Sequence, residues 1–151
     1  MSARFCSVLV ANRGEIACRV IRAARAEGLR AFAVFSDADA DAPHVRLADA
    51  AVRIGPSAPA QSYLAIPNLI AAARATGAEA VHPGYGFLAE NEDFAQACRD
   101  AGLVFIGPSP EAIKAMGNKA GAKEIMQAAG VPCVPGYQGE DQSEIAMLAE
   151  A

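Results

Sequence analysis

Ser7-Val8-Leu9-Val10-Ala11-Asn12-Arg13-Gly14-Glu15-Ile16-Ala17-Cys18-Arg19-Val20-Ile21 opens with an apolar run of strand length, breaks at a short polar turn and resumes with apolar residues at helical spacing. Strand, tight turn and helix in that order make the first half of a β-α-β unit, whose right-handed crossover returns the chain to a parallel sheet. The same rhythm runs outward from it. Strands are predicted over 7–11, 31–35, 52–54, 80–82 and 104–107, and helices over 14–27, near His44, over 65–76 and 91–101, and from Pro110 onward. The expected fold is α/β: a Rossmann-like, open, mainly parallel sheet of about five strands flanked by helices. Gly28, Gly77, Gly102 and Gly130 each follow a helical pattern where a left-handed cap is wanted, and Ser109-Pro110 is an N-cap followed by proline in the first turn. Residues 55–61, rich in proline, alanine and serine, are expected to form an exposed loop.

With 151 residues, the chain is long enough for one domain of ordinary size. Apolar residues reach 53% but lean on alanine, while aromatics stop at 6% and tryptophan is absent, so the helix faces must be thin and close-packed. The formal charge of −4 gives no general attraction to nucleic acid or to an anionic membrane, so an anionic ligand must be bound locally. No apolar run approaches the roughly 18 residues a bilayer span needs, and the first strand begins too early for a secretion signal. Cys6, Cys18, Cys98 and Cys133 lie far apart with no C-x-x-C pair, which fits buried, reduced thiols and a cytoplasmic protein.

The turn Ala11-Asn12-Arg13-Gly14 carries one glycine where a dinucleotide fingerprint needs three, and no P-loop pattern follows, so NAD, FAD and P-loop chemistry are disfavoured. On the helix after it, Ile16, Ala17, Val20, Ile21 and Ala24 form the stripe facing the core. Glu15, Arg19 and Arg22 share the opposite side, as a solvated face or as a subunit contact. Asp37, Asp39 and Asp41 alternate like calcium-loop ligands, but Ala42 and Ala48 stand where that loop needs glycine and glutamate; they are taken as turn and capping carboxylates. Neither His44 nor His82 has carboxylates at metal-ligand spacing, so no metal site is expected.

His82-Pro83-Gly84-Tyr85-Gly86-Phe87-Leu88-Ala89-Glu90-Asn91 leaves the carboxyl end of the fourth strand, where open α/β sheets bind ligands. Two glycines around a tyrosine allow either close backbone approach to a ligand or a tight connection with Tyr85 packed across it and His82 satisfied at the strand end. In Met116-Gly117-Asn118-Lys119, Asn118 has the position of an N-cap and sets Lys119 in the first turn, where an unpaired cation opposes the helix dipole by about 0.3–1 kcal/mol. A nearby phosphate would reverse that sign; a solvated lysine would accept it. Past a proline-stiffened exit over 131–136, Asp141-Gln142-Ser143-Glu144 is a D-x-x-E helix start, and the short helix it opens leaves Ile145 and Leu148 with no evident packing partner. The chain is therefore expected to be a fragment of a longer one.

Val10-Ala11-Asn12-Arg13-Gly14-Glu15-Ile16-Ala17, the stretch from Ser36 through His44 to Gly55, the 82–91 run, Phe105-Ile106-Gly107-Pro108, and Met116-Gly117-Asn118-Lys119 leading to Val131-Pro132-Cys133-Val134-Pro135-Gly136 closely resemble the N-terminal part of biotin carboxylase. The resemblance runs over 8–139. It implies a pre-ATP-grasp domain over 1–115 and the truncated beginning of an ATP-grasp domain over 116–151. It also implies a ligase reaction: ATP activates bicarbonate, and the carboxyl group passes to biotin carried on a separate domain, with Mg2+ or Mn2+ neutralising the phosphates. By the same resemblance Lys119 contacts ATP, Tyr85 and Gly86 lie near biotin and bicarbonate, and Arg19 and Arg22 join a homodimer contact. The implied partners are bicarbonate, a biotinylated carrier domain and a carboxyltransferase subunit, with no nucleic acid and no membrane. The family's catalytic residues and metal-binding glutamates fall outside this segment, so alone it is expected to be inactive. Ala50 departs from the family, which usually has an acid after Ala48-Asp49. Gly136-Tyr137-Gln138-Gly139-Glu140-Asp141-Gln142, together with residues 35–40 and 60–64, is most similar to carboxylases of methylcrotonyl-CoA or its geranyl relative, with those of acetyl-CoA, propionyl-CoA and pyruvate left open. A different ATP-grasp ligase and a non-catalytic dimerisation module remain as alternatives.

Overall fold

The computed structural model describes residues 5–134 and 143–149. The chain divides into two compact units, Met1–Ile113 and Lys114–Ala151. In the first, strands β1 (Ser7–Val10), β2 (Arg30–Ser36), β3 (Ala50–Gly55), β4 (Ala80–His82) and β5 (Val104–Phe105) form one sheet in the order β3-β2-β1-β4-β5. All four pairings are parallel. The expected open, five-stranded sheet is thus present.

Alternation along the strands sorts the core into two layers. Val8, Val10, Ala31, Ala33 and Ala80 turn towards helix α1 (Gly14–Ala26), which meets them with Ala17, Ile21 and Ala24. Alanines on both sides let the helix lie close to the sheet, which is what an alanine-rich, tryptophan-free composition provides. A short helix α2 (Pro43–Leu47) joins that side, with Leu47 against the same cluster. Leu9, Phe32, Val34 and Val81 face the other way, towards α3 (Ile66–Thr76) and α4 (Glu92–Asp100), where Leu69, Ala72, Ala73, Phe94 and Cys98 are buried. Phe94 meets Phe105 edge to face at 5.9 Å between centroids.

Helix ends follow the local signals. Gly28, Gly77, Gly102 and Gly130 have φ of 77°, 66°, 73° and 74°, the left-handed region that favours glycine. Asn91 caps α4 by accepting from the Phe94 N–H at 2.8 Å, and the Ser109 hydroxyl accepts from the Ala112 N–H at 3.2 Å at the start of α5 (Pro110–Gly117).

Several expectations need correction. The last strand stops at Phe105 rather than at 107, because the Gly107 N–H bonds back to the Phe105 carbonyl at 3.1 Å. Residues 56–61 are exposed as expected, but Gly55 is the buried end of β3 and Pro59–Gln61 winds into a 3₁₀ turn. At Gly55 an added Cβ would stand 2.2 Å from the Gln61 carbonyl oxygen, so the strand and the returning loop touch backbone to backbone. The cysteines are not all buried: Cys18 and Cys98 are, Cys133 is half-buried and Cys6 is exposed. All four are free thiols.

In the second unit, α6 (Lys119–Ala128) begins directly after Asn118, whose side chain accepts from the Ala120 N–H at 3.1 Å. A further helix, α7 (Glu144–Ala149), opens at Glu144; the Asp141 proposed to start it lies outside the described residues. Ile145 and Leu148 are exposed, as their lack of a packing partner in the sequence implies.

Candidate functional site

From the middle of the sheet, β1 leads across to β2 on one side, while β4 lies on its other side, so the carboxyl ends of β1 and β4 flank the point where the strand order reverses. Crossovers leave in opposite directions there and open a crevice. The turn after β1 and the loop after β4 both emerge into it, and the structure joins them through Asn12. This side chain is only 3% exposed. Its Nδ2 donates to the Pro83 carbonyl at 2.7 Å and to the Tyr85 carbonyl at 2.9 Å, and its Oδ1 accepts from the Arg13 N–H at 2.9 Å. At the turn where a dinucleotide fold carries its glycines, this chain has a buried amide bonded to the neighbouring loop.

The loop that Asn12 holds is tightly bent. Gly84, Gly86 and Phe87 have φ of 68°, 65° and 39°. For phenylalanine this region is uncommon and costs on the order of 1–3 kcal/mol, which persists only where surrounding contacts demand it. Those contacts are present. The Phe87 ring stacks on Tyr63 with centroids 5.1 Å apart and planes 13° from parallel. A Cβ on Gly84 would stand 2.7 Å from Asn12 Nδ2, whereas one on Gly86 would meet nothing within 4 Å. Between the two anchors, Tyr85 is 64% exposed and its hydroxyl lies 3.4 Å from Glu15 Oε2. Tyr85 and Gly86 are therefore adjacent on an open lip of the crevice.

Tyr63 is itself fixed from below. Its hydroxyl donates to Asp39 Oδ2 at 2.8 Å and accepts from the Ser36 N–H at 3.1 Å. Asp39 also takes the Arg13 guanidinium in a two-pronged pair, Nε to Oδ2 at 2.8 Å and Nη2 to Oδ1 at 2.5 Å, and accepts from the Ser36 hydroxyl at 3.0 Å. The guanidinium beside it, helped by the two hydroxyls and opposed by burial, holds the Asp39 carboxyl down at about 2. Burial, with the Asp39 charge adding to it, pushes the Tyr63 phenol up to about 12, and Arg13 is raised in turn. Asp39 is thus ionised and Tyr63 neutral at physiological pH.

The three aspartates do lie in a turn, with Asp37–Asp39 forming a 3₁₀ turn, but the capping part of their reading is corrected. No side-chain cap is made at that 3₁₀ turn; Asp39 is the centre of a buried network, Asp37 pairs with Arg53 at 2.6 Å and 2.9 Å on the surface, and the Asp41 carbonyl accepts from Arg46. No group of three or more His, Cys, Asp or Glu could hold a metal among the described residues.

Both histidines are kept neutral by desolvation. His82 Nδ1 accepts from the Gly84 N–H at 3.0 Å, so it is a satisfied strand-end residue that also helps turn the loop. His44 is fully buried, with Nε2 3.2 Å from the Val34 carbonyl, which fixes the proton on Nε2, while Nδ1 has no hydrogen-bond partner among the described residues. Arg19 and Arg22 are both exposed on α1. Arg19 borders an apolar groove of about 330 Å3 lined also by Phe5, Ile16, Val20, Leu29 and Ile106. Lys119 is the first residue of α6, as the Asn118 cap predicts, but its side chain lies outside the described part of the structure.

Sequence reasoning passes over the roles of Asn12 and Tyr63 and misassigns that of Asp39. A polar amide placed directly after four buried apolar residues, 8–11, is the one local sign of Asn12. Nothing local links Asp39 to Tyr63, 24 residues away.

Residues 4–113 match the family model described as the N-terminal domain of biotin carboxylase. The chain is 57% identical over 144 residues to the mitochondrial methylcrotonoyl-CoA carboxylase subunit alpha of Arabidopsis thaliana, covering 95% of this chain and 20% of that protein. It is 56% identical over 141 residues to the biotin carboxylase of a Nostoc strain, covering 93% and 32%. Among solved structures, the biotin carboxylase domain dimer of Hydrogenobacter thermophilus 2-oxoglutarate carboxylase, in complex with MgADP, ADP and bicarbonate, superimposes with a TM-score of 0.86 at 50% identity, covering 92% of this chain and 30% of that one. The chain thus spans between a fifth and a third of the proteins it matches.

Proposed function

Because the chain belongs to the biotin carboxylase N-terminal domain family, we propose that it is the front part of a biotin-dependent acyl-CoA carboxylase, a ligase that carboxylates protein-bound biotin at the expense of ATP. The observation that carries this reading is the loop after β4, bent and anchored so that Tyr85 and the open face of Gly86 stand at the reversal point of the sheet. An exposed aromatic ring beside unobstructed backbone suits a small planar ligand such as the biotin ureido ring, with bicarbonate beside it.

ATP, when bound, would supply the phosphoryl group that activates bicarbonate. This chain's contribution to it is Lys119, at the amino end of α6, where a phosphate would offset an otherwise unfavourable cation. Magnesium does not fit the described residues, which offer no ligand cluster, and we assign its ligands to the remainder of the longer protein. The division of labour we propose is a pre-ATP-grasp domain over 1–115 and the beginning of an ATP-grasp domain over 116–151. Methylcrotonyl-CoA is our assignment for the acceptor, supported by the methylcrotonoyl-CoA carboxylase relative. A biotinylated carrier domain and a carboxyltransferase subunit are the partners this reaction requires, and four free thiols suit a cytoplasm-like, reducing compartment.

The test is a chimera in which this chain replaces the matching third of the Nostoc biotin carboxylase, assayed for ATP cleavage that depends on bicarbonate and free biotin. The chimera is expected to be active, and Lys119→Ala to raise the KM for ATP by about tenfold or more, as loss of a charge-assisted phosphate contact does. ATP cleavage indifferent to biotin would overturn the reading. We also place Arg19 and Arg22 in a homodimer contact, supported by the exposure of both on α1 and by the apolar groove that Arg19 borders. Arg19→Glu combined with Arg22→Glu should convert a sedimenting dimer of the chimera to monomer; an unaltered dimer removes both from the contact.

A further inference from the structure

The geometry points to Asn12 as the positioning residue of this site: its amide sets the shape of the loop after β4 and thereby presents Tyr85 and Gly86 to the substrate. The inference rests on the proposal that this loop faces biotin and bicarbonate. Both hydrogens of Asn12 Nδ2 are spent on carbonyls two residues apart, those of Pro83 and Tyr85, at 2.7 Å and 2.9 Å. Two carbonyls so close in sequence converge on one nitrogen only if the peptide chain arcs around it. Gly84, at the crest of that arc, has φ of 68° and lacks the Cβ that would strike the amide at 2.7 Å. The third contact, from the Arg13 N–H to Oδ1, fixes which end of the amide faces the loop.

At the far side, the Phe87 ring rests on Tyr63, which is tied to Asp39 and through it to Arg13. Adjacent residues of one turn, Asn12 and Arg13, therefore hold the two ends of the loop, directly and through a buried network. The part left between the anchors is Tyr85 and Gly86. Few side chains could replace Asn12. A carboxylate of the same shape sets an oxygen against two carbonyl oxygens, a serine hydroxyl has one hydrogen for two acceptors, and alanine has none. The two carbonyls would then be left to water, with the arc free to relax.

Two measurements on Asn12→Asp and Asn12→Ala test this. In the 151-residue chain, amide exchange over 84–89 is expected to speed up about tenfold or more, with β1 and β4 exchanging as before. In the chimera, the KM for free biotin is expected to rise about tenfold while the KM for ATP stays within about twofold, because a misplaced loop affects the ligand it touches. Unchanged loop exchange overturns the inference. So does exchange that rises equally in the loop and the strands together with a fall in kcat at constant KM, the mark of a residue that supports stability alone. If the loop loosens and the biotin KM does not move, Tyr85→Ala separates the causes. A raised biotin KM in that variant means the loop faces biotin and Asn12 does not position it; an unmoved one means that the loop reading has failed and the inference with it.

Discussion

Asp39 accepts four hydrogen bonds, two of them from one guanidinium, and its carboxyl is held at about 2 against an ordinary value of 3.8. A folded-state value below the unfolded one stabilises the fold above about pH 4 and ceases to do so as pH falls through 2; the difference corresponds to about 2 kcal/mol. Asp39→Asn is accordingly expected to destabilise the chain by about 2 kcal/mol at pH 6 in urea unfolding, with the gap from wild type narrowing between pH 4 and pH 3. A gap that stays constant with pH would mean that packing, rather than charge, carries the effect. Gly84 and Gly86 make a second comparison at this scale. Both have left-handed φ, but only Gly84 has the Asn12 amide where its Cβ would go. Gly86→Ala should cost about 1 kcal/mol, the backbone term alone, and Gly84→Ala distinctly more. The sequence announces these two glycines, since a pair around an aromatic residue is unusual, yet it does not distinguish them. That difference depends on a side chain some seventy residues away, which no local pattern contains.

Helices are where local signals and structure agree best. Asn91 stands before two acidic residues and a buried phenylalanine, and the structure places it as the cap of α4 with Glu92 and Asp93 in the first turn. Replacing it with alanine is expected to cost about 1 kcal/mol, and with aspartate almost nothing, in thermal or urea unfolding. Equal losses for both would show that the bond to the Phe94 N–H matters less than the amide's other surroundings. Strands are legible where they are apolar and bounded by turn residues, as at 7–10 and 80–82. They become illegible where tertiary contacts end them. Nothing in the composition of 104–107 says that Gly107 will fold back on Phe105, and nothing in 55–61 says that Gly55 must accept a carbonyl oxygen at its α-carbon. The aspartates of 37–41 fail for a related reason. Spacing of two suits a metal loop or a turn, and the choice made here, a buried pair with Arg13, is set by a helix start 26 residues earlier.

Over the whole molecule, the alternation of strands and helices specifies a parallel sheet but leaves the order of its strands open, and the site depends on that order. Only with β1 between β2 and β4 do the first turn and the 82–91 loop share a crevice. The same layering sorts the thiols. Cys98 lies in the core against the sheet, where burial pushes its pKa up to about 12, and Cys18 is buried in α1. An aromatic disulfide reagent should label Cys6 promptly and reach Cys18 and Cys98 only on unfolding; rapid labelling of Cys98 in the folded chain would contradict the packing described. The position of β1 has one more consequence, in time. Of the five strands, the one at the centre of the sheet is synthesised before the others, while the partners of Asn12 lie 71 and 73 residues behind that residue. At about 5–20 residues per second, roughly 4 to 15 seconds separate their synthesis. Throughout that interval β1 can pair with β2 on one side only, with its other edge and the Asn12 amide open to whatever nascent chain or chaperone is near. Delivery of β4 closes that edge and shapes the loop in a single step, so the sheet and the 82–91 loop mature together.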